Sequence, residues 1–118
     1  MSGRILVVED HADTAAALST ILTDRGYSVL TADNGQQAID ILEGGMHPEL
    51  ILVDLLMPHV SGADLLSHLN ASPRLRDIPT VVITAVPKDQ VRLITNAVFS
   101  KPIDYANLTR TIDALVAH

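Results

Sequence analysis

No cysteine occurs in this chain. That removes disulfides and thiolate metal sites, and it speaks weakly for a reducing compartment. Aromatic residues make up only 3%, so any core has to be assembled from Leu, Ile, Val and Ala. Basic residues are in deficit, 8 against 14 acidic, for a formal net charge of −6. Direct nucleic-acid binding needs a basic face, the opposite balance. Apolar runs are short, and none approaches the roughly 18–20 residues of a membrane span. Residues 1–4 are too few for a signal peptide, and the apolar run that follows has the length of a strand. A cytoplasmic domain that binds neither membrane nor nucleic acid is the expectation. What the chain does have is aliphatic bulk. Hydrophobic residues reach 47% over 118 positions, which argues against disorder and suffices for one domain, residues 1–118, with one sizeable core.

The most informative stretch is 50–58, where Leu50-Ile-Leu-Val53 runs into a lone carboxylate, Asp54, and Pro58 ends any regular element. A short apolar run closed by a turn signal predicts a strand buried on both faces. Asp54 then sits at the strand's carboxyl end, the edge where open α/β sheets bind ligands. A single Asp in such a place is most often a turn or cap residue. A carboxylate against so apolar a strand is costly unless a charge or a metal offsets it.

The same texture recurs along the chain. Ile5-Leu-Val-Val8 ends in Glu9-Asp10, and a helix follows with Ala15, Leu18, Ile21 and Leu22 at helical spacing, capped by Asp13 or Thr14 and ended at Gly26. Residues 27–32 alternate as a second strand nearer the sheet edge. Asn34-Gly35 marks a turn before a helix over 36–43. After the strand at 50–54 comes a helix over 63–69, then a polar loop over 70–79. Thr80-Val-Val-Ile-Thr84 is a fourth strand, 88–95 a weak helix, and Ala97-Val-Phe-Ser100 a fifth strand ended by Lys101-Pro102. Asp104 or Asn107 opens a last helix that buries Leu108, Ile112, Leu115 and Val116. Strand and helix alternating five times predict an α/β fold, a single doubly wound parallel sheet of five strands with helices on both faces.

All carboxyl ends of such a sheet lie on one edge. Glu9, Asp10, Asp54, Thr84 and Lys101 are therefore predicted to converge although they are far apart in sequence. Each alone has an ordinary structural reading as a cap, a turn residue or a surface lysine. Together they suit one chemistry. Three convergent carboxylates favour a hard divalent cation with oxygen ligands, Mg²⁺ above all. A carboxylate is a competent nucleophile toward phosphorus, and a cation with a lysine neutralises phosphoryl oxygens during transfer. A threonine hydroxyl can donate to another of those oxygens. A flavin or phosphate-ester enzyme on the same sheet type fits less well, because His11-Ala12-Asp13 stands where a Gly-rich phosphate loop is needed. The histidines, His11, His47, His59, His68 and His118, lack metal spacing, and His11 and His59 are read as solvated loop residues.

Over essentially its whole length the chain resembles the receiver domains of two-component response regulators. The resemblance rests on Val-Val-Glu9-Asp10, on Asp54-Leu-Leu-Met57-Pro58 with Gly62 after it, on Thr84-Ala85, on Lys101-Pro102 and on Asn34-Gly35-Gln-Gln-Ala38. It implies the flavodoxin-like strand order 2-1-3-4-5. It also implies that Asp54 accepts a phosphoryl group from a histidine kinase or a histidine phosphotransfer protein, that the domain is not itself an enzyme, and that it signals to an effector protein or fused domain. The implied Mg²⁺ ligands are Asp10, Glu9 largely through water, Asp54, and the backbone carbonyl of Leu56. Lys101 would pair with the phosphoryl group and Thr84 would move toward it. Two departures stand out. The position three before the lysine, usually aromatic, is Val98, while Phe99 is one step later and so expected on the other face. The stretch from Thr84 to Lys101 is also short, which leaves room for only a shortened fourth helix. A receiver-like binding module acting through constitutive contacts, with little phosphorylation-driven switching, is the alternative.

Overall fold

A computed structural model of the chain describes residues 3–55, 62–85 and 94–116. In chain order the elements are β1 (Arg4–Val8), α1 (Ala12–Asp24), β2 (Ser28–Ala32), α2 (Gly35–Glu43), β3 (Leu50–Asp54), α3 (Gly62–Ala71), β4 (Thr80–Thr84), β5 (Ala97–Ser100) and α4 (Tyr105–Val116). The five strands form one parallel sheet in the order β2-β1-β3-β4-β5. This is the doubly wound arrangement expected from the alternation. The helix predicted over 88–95 lies almost wholly outside the described residues, as does Leu56.

The strands' apolar runs divide by parity, because successive strand side chains point to opposite faces. Leu6 and Val8 of β1, Ile51 and Val53 of β3, and Val82 of β4 pack with Ala38 and Leu42 of α2 and with Leu65, Leu66 and Leu69 of α3. Ile5 and Val7, Leu50 and Leu52, and Val81 and Ile83 pack on the other face with Leu18 and Leu22 of α1 and with Leu108 and Ile112 of α4. β3 and β4 are buried along their whole length. This accounts for continuous apolar runs where a half-exposed strand would alternate. Parity also separates the two residues noted before Lys101: Val98 packs toward the α2–α3 side and Phe99 toward the α1–α4 side. On that second face, Asp113 of α4 accepts hydrogen bonds from Arg25 and from Tyr27 Oη, the latter at 2.5 Å. Burial and the neighbouring Asp113 push the Tyr27 phenol up to about 12, so this tie holds throughout the neutral range.

Several boundaries differ from expectation for identifiable reasons. α1 starts at Ala12 with His11 in the capping position, and among the described residues no side chain caps it there, Asp13 and Thr14 included. The carboxylate just upstream acts instead, since Glu9 Oε2 accepts the His11 N–H at 3.1 Å. Gly26 ends α1 with φ 95°, a left-handed conformation natural for glycine. Asn34 caps α2 by accepting the Gln37 N–H at 2.8 Å. Asp104, of the two candidates, opens α4 by accepting the Asn107 N–H at 3.1 Å. The polar loop expected over 70–79 is not wholly polar in use. α3 continues to Ala71, and Leu75 and Ile78 are buried in the core beneath α3. The Lys101–Pro102 peptide bond is cis.

Candidate functional site

The register of the sheet decides which side chains meet. Val8 lies beside Val53, Asp54 beside Ile83, and Thr84 beside Ser100. The residues that end β1, β3, β4 and β5 therefore emerge along one edge. The exits of β1, β3 and β5 are each tied down by one more ladder bond beyond the strand. Glu9 N–H donates to Ala32 O at 3.0 Å, Leu55 N–H to Ile83 O at 2.9 Å, and Lys101 N–H to Thr84 O at 2.8 Å. The side chains of Glu9, Asp54 and Lys101 thus leave from backbone held by the sheet's hydrogen bonds.

Along this edge Glu9, Asp10 and Asp54 each present a carboxylate oxygen, and these oxygens all lie within 4.8 Å of one another. Among the described residues no histidine joins the group. Asp54 is only 5% exposed and Glu9 only 3%, whereas Asp10 stands in solvent. Lys101 Nζ donates to Asp54 Oδ2 at 3.3 Å across the mouth of the cleft. Thr84 is fully buried at the end of the neighbouring strand. Five of the six residues singled out in the sequence thus share one edge. The sixth, Leu56, lies outside the described residues.

Glu9 is the least comfortable group at this edge. Its Oε1 is buried with no hydrogen-bond partner among the described residues. Burial is the largest cause that raises its carboxyl, followed by the adjacent Asp54 and, least, Asp10; only the His11 N–H works the other way. Together they push it from 4.5 to about 7. A buried oxygen without a donor, in a cluster of acids held by rigid strands, is relieved by a proton or by a cation. The donor set, carboxylate oxygen throughout, fits a hard divalent ion such as Mg²⁺ and not a soft one.

Sequence reasoning missed the part played by Gly62, which entered only as one residue of a motif. It is buried as the first residue of α3, and its N–H donates to Leu55 O at 3.2 Å. Its place four residues beyond Pro58 carried no spatial signal. Only the folded chain sets it against the end of β3.

A doubly wound parallel sheet with an acid cluster and a lysine at its carboxyl edge defines the receiver class. The family model described as the response regulator receiver domain matches residues 5–113, and the chain belongs to that family. It is 35% identical to the phosphate regulon transcriptional regulatory protein PhoB of Escherichia coli K12 over an alignment of 121 residues, which covers 98% of this chain and 52% of that protein. The chain therefore spans about half the length of that relative. Among solved structures it superposes on the receiver domain of a signal transduction histidine kinase from Syntrophus aciditrophicus with a TM-score of 0.91 at 30% identity, covering 98% of this chain and 91% of that one. It also superposes on the response regulator TrrA of Thermotoga maritima, solved in complex with Mg²⁺-BeF, with a TM-score of 0.85 at 25% identity, covering 98% and 99%. Among the described residues no helix is long and apolar enough to cross a membrane.

Proposed function

We propose that this domain is the phosphoacceptor of a two-component or phosphorelay pathway. Asp54 takes the phosphoryl group from a phosphohistidine of a histidine kinase or a histidine phosphotransfer protein. The observation that carries this reading is the placement of a buried, lysine-paired carboxylate beside two further acids. An oxygen of Asp54 attacks phosphorus, the phosphorus–nitrogen bond breaks, and the departing imidazole nitrogen keeps the electron pair and is protonated. Lys101 counters the charge on the phosphoryl oxygens, and the Thr84 hydroxyl is the donor at the next strand end. Glu9, Asp10, Asp54 and the Leu56 carbonyl would hold Mg²⁺. When bound, it supplies neutralisation of charge on the phosphoryl oxygens as transfer proceeds. The domain is modified in this reaction and is not a turnover enzyme, and it passes the signal on by protein–protein contacts. A cytoplasmic location accords with that role.

The test is direct. The protein is incubated with Mg²⁺ and acetyl phosphate, and its intact mass is followed. The wild type gains one phosphoryl group; Asp54→Asn gains none. Undiminished labelling of the variant would refute the assignment of Asp54.

A further inference from the structure

The end of β3 is enclosed from two sides. On one, the Leu55 N–H is bonded to Ile83 O at 2.9 Å, which extends the β3–β4 ladder past Asp54. On the other, the first residue of α3 presses on the same backbone. A Cβ added at Gly62 would lie 2.7 Å from the carbonyl oxygen of Asp54, 2.7 Å from Leu55 Cα and 3.0 Å from Val53 Cγ1. Two of those three atoms are backbone, at the end of a central strand still hydrogen-bonded to β4 there, and cannot rotate away as a side chain could. Ordinary contact begins near 3.4 Å, so even one methyl group would require a separation of roughly 0.7 Å between α3 and the Asp54–Leu55 peptide.

We infer that Gly62 is a positioning residue for phosphoryl acceptance, an inference that rests on the phosphoacceptor reading of Asp54. The absence of a side chain lets α3 seat against the end of β3 and sets where the Asp54 carboxylate stands relative to Glu9, Asp10 and Lys101. Its N–H on Leu55 O ties the start of α3 to the residue that follows β3. Mg²⁺ demands near-ideal octahedral geometry, and a misplacement of about 1 Å can cost on the order of 100-fold in rate. A methyl group at position 62 therefore acts on the chemistry through Asp54 as well as on folding.

The experiment compares wild type, Gly62→Ala and Ile112→Val. Ile112 is fully buried on the opposite face of the sheet, so its variant supplies a destabilised control away from the site. All are assayed below their melting transitions, confirmed by circular dichroism, for the rate of mass gain from acetyl phosphate and for Mg²⁺ affinity by calorimetric titration. Gly62→Ala is expected to lose roughly 10- to 100-fold in rate and to bind Mg²⁺ more weakly, with Ile112→Val at the wild-type values. A wild-type rate in folded Gly62→Ala, or an equal loss in Ile112→Val, overturns the inference. If Gly62→Ala does not fold, Val53→Ala/Gly62→Ala, which removes the contact at Val53 Cγ1, is judged by the same criteria. Failure of both to fold also overturns it, by making Gly62 a requirement of the fold alone. A wild type that takes no phosphoryl group sinks the phosphoacceptor reading itself, an outcome separate from a labelled wild type beside an equally active Gly62→Ala.

Discussion

Replacing Glu9 by Gln tests the electrostatics of the acid cluster most directly. The amide has the shape of a protonated carboxyl and cannot ionise. Glu9 titrates at about 7 in the folded protein against 4.5 ordinarily, chiefly because it is buried and then because Asp54 is beside it. A carboxyl raised by folding contributes its full stability below the ordinary value. That stability is lost as the pH climbs through 4.5 to about 7, because the unfolded chain releases the proton first. At about 1.4 kcal/mol per tenfold change in proton affinity, the whole window corresponds to about 3 kcal/mol. Solvent at the mouth, where Asp10 and Lys101 are exposed, screens part of this, which leaves on the order of 1–2 kcal/mol. In chelator at pH 8, Glu9→Gln should therefore melt above the wild type by roughly 4–8 °C for a domain of this size. At pH 4.5 the two should melt together. The difference between the two proteins is the quantity to follow, since other groups titrate equally in both. Added Mg²⁺ at pH 8 should stabilise the wild type by binding the folded state alone, and the variant less. Coincident melting at pH 8 in chelator would refute the claim that Glu9 is held at a cost in the metal-free cluster.

Two further outcomes are expected. Leu56 and Val86 stand two residues beyond Asp54 and Thr84; both are apolar and neither can orient or activate a water. The phosphoryl group should therefore persist after the donor is removed and decay faster in Leu56→Asn; equal decay would defeat the argument from polarity. Val98 packs toward the α2–α3 side while Phe99 is committed to the opposite face, so position 98 offers no aromatic ring to fill space that Thr84 would vacate if it moved toward a phosphoryl group. Losing an aromatic-sized exchange removes on the order of 1–3 kcal/mol of bias between states. Beryllofluoride should accordingly cause only small amide shifts at residues 94–100 and no new dimer by sedimentation, and a concerted shift or a dimer through that face would contradict the reasoning.

The local code of this chain was strong enough to predict a doubly wound parallel sheet, while the strand order rested on the family resemblance. Strands buried on both faces need unbroken aliphatic runs, and Ile5–Val8, 50–53 and 80–84 supply them, each followed by a helical period and a turn signal. Parallel strands send their carboxyl ends to one edge, so the convergence of Glu9, Asp10, Asp54 and Lys101 was legible from the parallel alternation, and the opposite facing of Val98 and Phe99 from strand parity. Other features depended on what the folded neighbours do. Leu75 and Ile78 sit in a stretch with no period, and only the space beneath α3 makes them core. Asp13 and Thr14 have the chemistry of caps, yet the turn out of β1 delivers the Glu9 carboxylate to the His11 N–H instead. Composition says nothing of the Glu9 carboxyl's rise to about 7, because burial and a second carboxylate are properties of the assembled edge. The tight fit at Gly62 is of the same kind. A missing side chain leaves no pattern in a sequence, and its meaning arises only when the helix that begins there is pressed onto the strand that ends in Asp54.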